Sequence, residues 1–231
     1  MSMMTYQYIF IDLDDTIFDF QKSEQKAFKK LTEHIGFPYS DDLFNQFKQY
    51  NQQLWHQIEL GTLSKSELLA TRFPNFFEQF GFSVVSDNMD DYFRDQLAEA
   101  GDLIDGAENF LITLQQHQKT LLAASNGVYP TQIKRLNQTG IIGYFDYIFI
   151  SEKLGFSKPD TRFFEESFKQ INDFDFEQAI MIGDSLTSDM RGAHNIQMHS
   201  IWYNPHQKQQ PDDLTITYQA QNFKEILDIL I

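Results

Sequence analysis

YIFIDLDDTIFDF, residues 8–20, packs four aspartates into eight positions directly behind an apolar run. Tyr8, Ile9, Phe10 and Ile11 read as the end of a buried strand, and Asp12, Asp14, Asp15 and Asp19 follow at once. Two like charges about 4 Å apart repel by roughly 4 kcal/mol at an effective dielectric near 20. Carboxylates at the mouth of a core therefore need a compensating partner. Asp12 and Asp14 are two apart where the chain leaves the strand, so both can point at one spot beyond its end. A hard divalent cation with oxygen ligands turns the repulsion into attraction, and Mg²⁺ suits one or two carboxylates plus a substrate phosphate.

Further apolar runs recur along the chain: TLLAAS (120–125), YIFIS (147–151), AIMIGD (179–184) and HSIWY (199–203). With 8–13 they read as strands buried on both faces, as in a parallel sheet covered by helices. Helix-length segments lie between them at 106–118, 130–139, 160–171 and 186–195. The alternation predicts an α/β, Rossmann-like open parallel sheet with helices on both faces. Ligands in such sheets bind beyond the carboxyl ends of the strands. Residues 20–99 show helical periodicity and no convincing strand, with Gly at the ends of SEQKAFKKLTEHIGF and SKSELLATRFPNFFEQFGF. This predicts an inserted four-helix cap over 17–97, with a catalytic core made of 1–16 and 98–231. The last stretch, 204–231, reads as a polar loop, a short strand and a closing helix.

Composition narrows the partners. The 231 residues are 42% hydrophobic and 22% charged, which suits a globular chain, and 23 are Phe, which predicts large aromatic clusters. The net charge of −15 disfavours nucleic-acid polymers and anionic membrane surfaces. An anionic substrate stays open, because a bound cation inverts the sign of one local site. The chain has no cysteine, so thiolate nucleophiles, Cys-zinc sites and disulfides are excluded. With no signal-like leader and no apolar run of spanning length, a cytoplasmic location is expected.

Three more motifs fall at strand ends. MIGDSLTSDM (181–190) offers Asp184 and Asp189, although Asp184 alone could serve as a helix cap. AASNG (123–127) places the Ser125 hydroxyl beside a turn at Asn126-Gly127, either an ordinary turn or a phosphate cradle. FSKPD (156–160) places Lys158 before Pro159, which favours an extended approach. Alone it reads as a surface lysine. Beside three carboxylates it balances charge and holds a phosphate.

In this order the four pieces resemble the haloacid dehalogenase-like hydrolase superfamily, with the helical cap between the first two. The resemblance implies that Asp12 is the nucleophile and Asp14 the general acid and base. It implies that Ser125, Asn126 and Lys158 bind the transferring phosphate. Asp12, Asp184 and the backbone carbonyl of Asp14 would hold Mg²⁺, with Asp189 in support of the metal site or of Lys158. An acid at Asp14 favours a phosphatase over a dehalogenase, because an alkoxide leaving group needs a proton. Residues 51–73, with Leu54-Trp55, Glu59-Leu60-Gly61 and Arg72-Phe73, are similar to the branch of 5′-nucleotidases that act on nucleoside monophosphates, often pyrimidine ones. Phe18, Phe20 and Trp55 are candidate base contacts, each set against an ordinary place in the core. His56, His194 and His199 are read as structural. The expected partner is a small phosphomonoester, and the assembly is a monomer or a homodimer. A sugar-phosphate phosphatase, a phosphomutase, a phosphonate hydrolase using Lys22, Lys48 or Lys65, and a non-catalytic phosphate-binding module are the alternatives.

Overall fold

The apolar runs form one parallel sheet, β1 Tyr8–Ile11, β2 Thr120–Ser125, β3 Tyr147–Ile150, β4 Ala179–Gly183, β5 His199–Tyr203 and β6 Tyr218–Ala220, in the order β3-β2-β1-β4-β5-β6. This computed structural model describes residues 5–83 and 88–231. Every pairing is parallel, so all strand carboxyl ends lie on one edge. β1 is central, with Ile11 opposite Ala123 on one side and Ile182 on the other. That register brings Asp12, Ser125 and Asp184, from three adjacent strands, to the same edge.

Alternation along the strands divides the core in two. Ile9, Ile11, Leu121, Ala123, Ile180 and Ile182 pack on one face with Phe110 and Leu114 of α5 (Ala107–Gln116) and Ile226 of α10 (Phe223–Leu230). Phe10, Leu122, Ala124 and Met181 pack on the other with Phe163 and Phe164 of α8 (Thr161–Phe168) and Ala193 of α9 (Arg191–Asn195). The remaining core helices are α6 (Tyr129–Gln138) and the single turn α7 (Ser151–Leu154). The predicted helix 186–195 is two pieces, because a π-helical turn over Leu186–Met190 precedes α9.

The chain divides into two units, one of residues up to Phe20 and from Asp102 onward, the other Gln21–Gly101. Both boundaries lie about one helical turn beyond the expected 16/17 and 97/98. The cause is local. Ile17 and Phe18 are fully buried in the core, and Phe18 bridges to Leu103. At the other end the helix runs to Ala100 and stops at Gly101, which takes a left-handed conformation.

The second unit holds most of α1 (Phe20–Ile35), with α2 (Asp41–Glu59), α3 (Lys65–Glu78) and α4 (Met89–Ala100). Ser40 and Ser64 cap α2 and α3 by accepting the N–H groups of Leu43 and Glu67. Phenylalanines fill its interior. Phe28 stacks on Phe47 at 4.4 Å, and Phe47 stacks on Phe73 at 5.2 Å. Buried Arg72 lies over Phe73 and Phe93 and bonds Asp90 and Asn51. Among the described residues no helix is long and apolar enough to cross a membrane.

Candidate active site

Asp12 follows β1 and is held to the sheet by its backbone N–H, which donates to the carbonyl of Ile182 at 2.9 Å. Its Oδ1 accepts from Lys158 Nζ at 2.8 Å, and the same Nζ donates to Asp189 Oδ1 at 2.6 Å and to the carbonyl of Ala124. Lys158 and Asp189 are 1% and 0% exposed, so this is a charge cluster inside the protein. Burial pulls the Lys158 ammonium down, and the charges of Asp12 and Asp189 outweigh it, so its net direction is up and it stays charged. Burial pushes the Asp12 carboxyl well above the usual range, Asp189 adds to this, and Lys158 opposes it.

The approach of Lys158 is set by Asn126. The amide of Asn126 accepts from the backbone N–H of Lys158 at 2.9 Å and donates to its carbonyl at 2.8 Å. Its side chain thus aims the lysine. Ser125 is buried, and its Oγ accepts from Gly127 N at 3.0 Å and from Gln132 Nε2 at 2.8 Å.

Asp189 is delivered by the π-turn. Ser185 caps that turn by accepting from Ser188 N, and its own N–H donates to Asp189 Oδ2 at 3.1 Å. Gly183 makes room, since a Cβ there would lie 2.1 Å from Asp189 Oδ2. Asp184 is fixed through its carbonyl, which accepts from Trp202 Nε1 at 2.9 Å. Its carboxylate has no hydrogen-bond donor among the described residues. Burial, then the charges of Asp189 and Asp12, push it well above the usual carboxylate range.

Carboxylate oxygens of Asp12, Asp184 and Asp189 lie within 4.8 Å of one another. Hard oxygen donors at this spacing, one of them unpartnered, fit a divalent cation such as Mg²⁺. Asp189 is the least available of the three, because both its oxygens already accept hydrogen bonds.

Asp14 is held from α6. Its Oδ2 accepts from Gln132 Nε2 at 2.8 Å and its Oδ1 from Arg135 Nη1. Gln132 and Arg135 were missed in the sequence. Their signal was a polar pair three apart on the helix that follows the Ser125 turn. Phe18 is 0% exposed, with the Arg135 guanidinium 4.0 Å from its ring centre. This corrects the expectation that it faces a base, because the chain turns back at Asp15 (φ 57°) and carries Phe18 into the core. Phe20 is half-buried, and Trp55, on α2, has Lys65 Nζ 5.8 Å from its ring centre. His194 accepts from Thr215 N, and His199 bonds Tyr6 Oη.

Residues 6–197 match the haloacid dehalogenase-like hydrolase family. The pyrimidine 5′-nucleotidase PynA of Streptococcus pneumoniae is 36% identical over 98% of this chain and 96% of its own length. The pyrimidine 5′-nucleotidase YjjG of Escherichia coli is 27% identical over 98% and 99%. The magnesium-bound crystal structure of the HAD-hydrolase YfnB of Bacillus subtilis superposes with a TM-score of 0.92 at 36% identity, over 98% of this chain and 99% of that one.

Proposed function

The chain belongs to the haloacid dehalogenase-like hydrolase family, and from that premise we propose that it is a Mg²⁺-dependent phosphatase of small phosphomonoesters that works through an aspartyl-phosphate. The observation that carries the reading is the buried Asp12–Lys158–Asp189 cluster at the sheet edge, with Asp14 two residues beyond the nucleophile. An Oδ atom of Asp12 attacks phosphorus and forms the Asp12–phosphorus bond. The bond from phosphorus to the ester oxygen breaks, and Asp14 gives that oxygen a proton. Water then attacks the phosphorus, the Asp12–phosphorus bond breaks, and a proton from the water returns to Asp14.

Ser125 already accepts two hydrogen bonds, which leaves its own proton for a phosphate oxygen. Lys158 offsets the charge of the nucleophile and of the arriving phosphate, exchanging one of its three present bonds to touch it. Mg²⁺ held by Asp12, Asp184 and the backbone carbonyl of Asp14 would neutralise charge on the phosphoryl oxygens when bound. The substrate class we infer is nucleoside 5′-monophosphates, pyrimidine ones first. The names of PynA and YjjG support it, with Phe20 as the proposed base contact.

The test is phosphate release from nucleoside monophosphates, sugar phosphates and an aryl phosphate, with Mg²⁺ or EDTA. Release that needs the metal and is strongest on pyrimidine monophosphates is expected. Release strongest on sugar phosphates would keep the chemistry and discard the nucleotide preference. Asp12→Asn should lower turnover by at least about 10³-fold while circular dichroism is unchanged. A loss of only a few-fold would remove Asp12 as the nucleophile.

A further inference from the structure

We propose that Gln132 and Arg135 are positioning residues, a two-point grip from α6 that holds the Asp14 carboxylate at the angle needed to pass its proton. The proposal rests on the acid–base role of Asp14 given above. Each oxygen of Asp14 accepts from a different residue: Oδ2 from Gln132 Nε2 at 2.8 Å and Oδ1 from Arg135 Nη1. The two grips are themselves joined, because Arg135 Nη1 also donates to Gln132 Oε1 at 3.0 Å. Gln132 Nε2 reaches Ser125 Oγ as well, at 2.8 Å. One side chain thus ties the proton carrier to a phosphate contact from a neighbouring strand.

A carboxylate on a chain leaving a strand otherwise rotates about two side-chain bonds. Contact at both oxygens removes that freedom and leaves each oxygen a second lone pair. The side chain of Asp14 keeps 30% exposure, so one side of it stays open.

The form of the ion pair also points to position rather than stability. A stabilising arginine presents two parallel N–H bonds to one carboxylate. Arg135 is 0% exposed, yet it gives Asp14 a single nitrogen, and its Nε and Nη2 have no partner among the described residues. Buried donors left unpaired are unfavourable. The guanidinium instead lies over Phe18, 4.0 Å from the ring centre, with Phe20 at 5.8 Å. The cation–π contact holds the guanidinium against the ring while Nη1 holds Asp14. Room for the other half of the grip comes from Gly127, where a Cβ would lie 2.7–2.9 Å from the Gln132 side chain.

The experiment compares two esters. An alkyl phosphate, such as a nucleoside monophosphate, needs a proton on its leaving oxygen. A nitrophenyl phosphate leaves without one, but its aspartyl-phosphate still needs Asp14 to activate water. Arg135→Met and Gln132→Met should lower kcat on the alkyl ester by about 10²-fold, with KM changed less than about 3-fold. With nitrophenyl phosphate they should show a burst of one nitrophenolate per enzyme followed by slow turnover. In an Asp14→Asn background, Arg135→Met should add less than about 2-fold.

Equal losses on both esters without a burst, further loss in the Asp14→Asn background, or full activity would each overturn the proposal. If Arg135→Met fails to fold by circular dichroism, Gln132→Met carries the same readouts with the arginine pair intact. If Asp14→Asn alone keeps full turnover on the alkyl ester, the acid–base reading falls and takes the proposal with it. That result is distinct from failure of the grip alone.

Discussion

Gly183 lies so close under Asp189 that any side chain there must move the carboxylate that anchors Lys158. Gly183→Ala is therefore expected to lower turnover by about 10²-fold, the usual effect of an ångström of misplacement. Overpacking should also cost about 1–3 kcal/mol, read as a drop in unfolding temperature of about 2–4 °C per kcal/mol. Unchanged kinetics would mean that Asp189 does not aim the lysine. At this scale the sequence was legible where chemistry follows a strand directly. Asp12, Asp184 and Ser125 are fixed by the register of three neighbouring strands, and a strand ending in acid is visible in one dimension. Arg135 was not legible, because an arginine on a short helix is solvated by default. Its burial depends on Phe18, more than a hundred residues away in the chain. Asn126 was legible as a turn, but the partner of its side chain, the backbone of Lys158, was not.

The π-turn over Leu186–Met190 is the element that converts a strand end into a charge anchor. Its cap is Ser185, whose hydroxyl accepts from Ser188 N at 3.2 Å. Ser185→Ala should cost about 1 kcal/mol, a fall of about 2–4 °C in a thermal melt. It should lower turnover as well, because the Ser185 N–H that holds Asp189 belongs to the same turn. A change in melting temperature with normal turnover would show that the turn serves stability alone. The sequence shows one helix over 186–195 because apolar spacing cannot distinguish α from π hydrogen bonding over a single turn. The difference arises where Asp189 must reach back beneath Gly183, a contact that leaves no periodic trace. The strands were easier to read. Runs such as Ile180–Ile182, buried on both faces, have few other places to go.

Across the whole molecule the dominant fact is a net charge of −15, with three carboxylates gathered at one edge of the sheet. Mg²⁺ should raise the unfolding temperature more than NaCl of equal ionic strength, because only the divalent ion would be held by the proposed site at the cluster. At a hundred times its dissociation constant, a ligand of the folded state adds about 2.7 kcal/mol. Asp184→Asn should abolish that increment. In EDTA the same substitution should melt higher than the parent, since it removes a half-buried charge that Asp12 and Asp189 repel. Equal effects of Mg²⁺ and NaCl would show that the ion only screens the surface. The central place of β1 has a further consequence, for synthesis. β1 is made first, yet its two neighbours begin at Thr120 and Ala179. At ribosomal speeds of about 5–20 residues per second, β1 waits roughly 6–22 s for β2 and longer for β4. An apolar strand with both edges open is an invitation to aggregate. The aspartates of 12–19 flank it throughout that wait and act as gatekeepers for the nascent chain. The charges proposed to serve the finished site would thus protect the strand that carries them before the site exists.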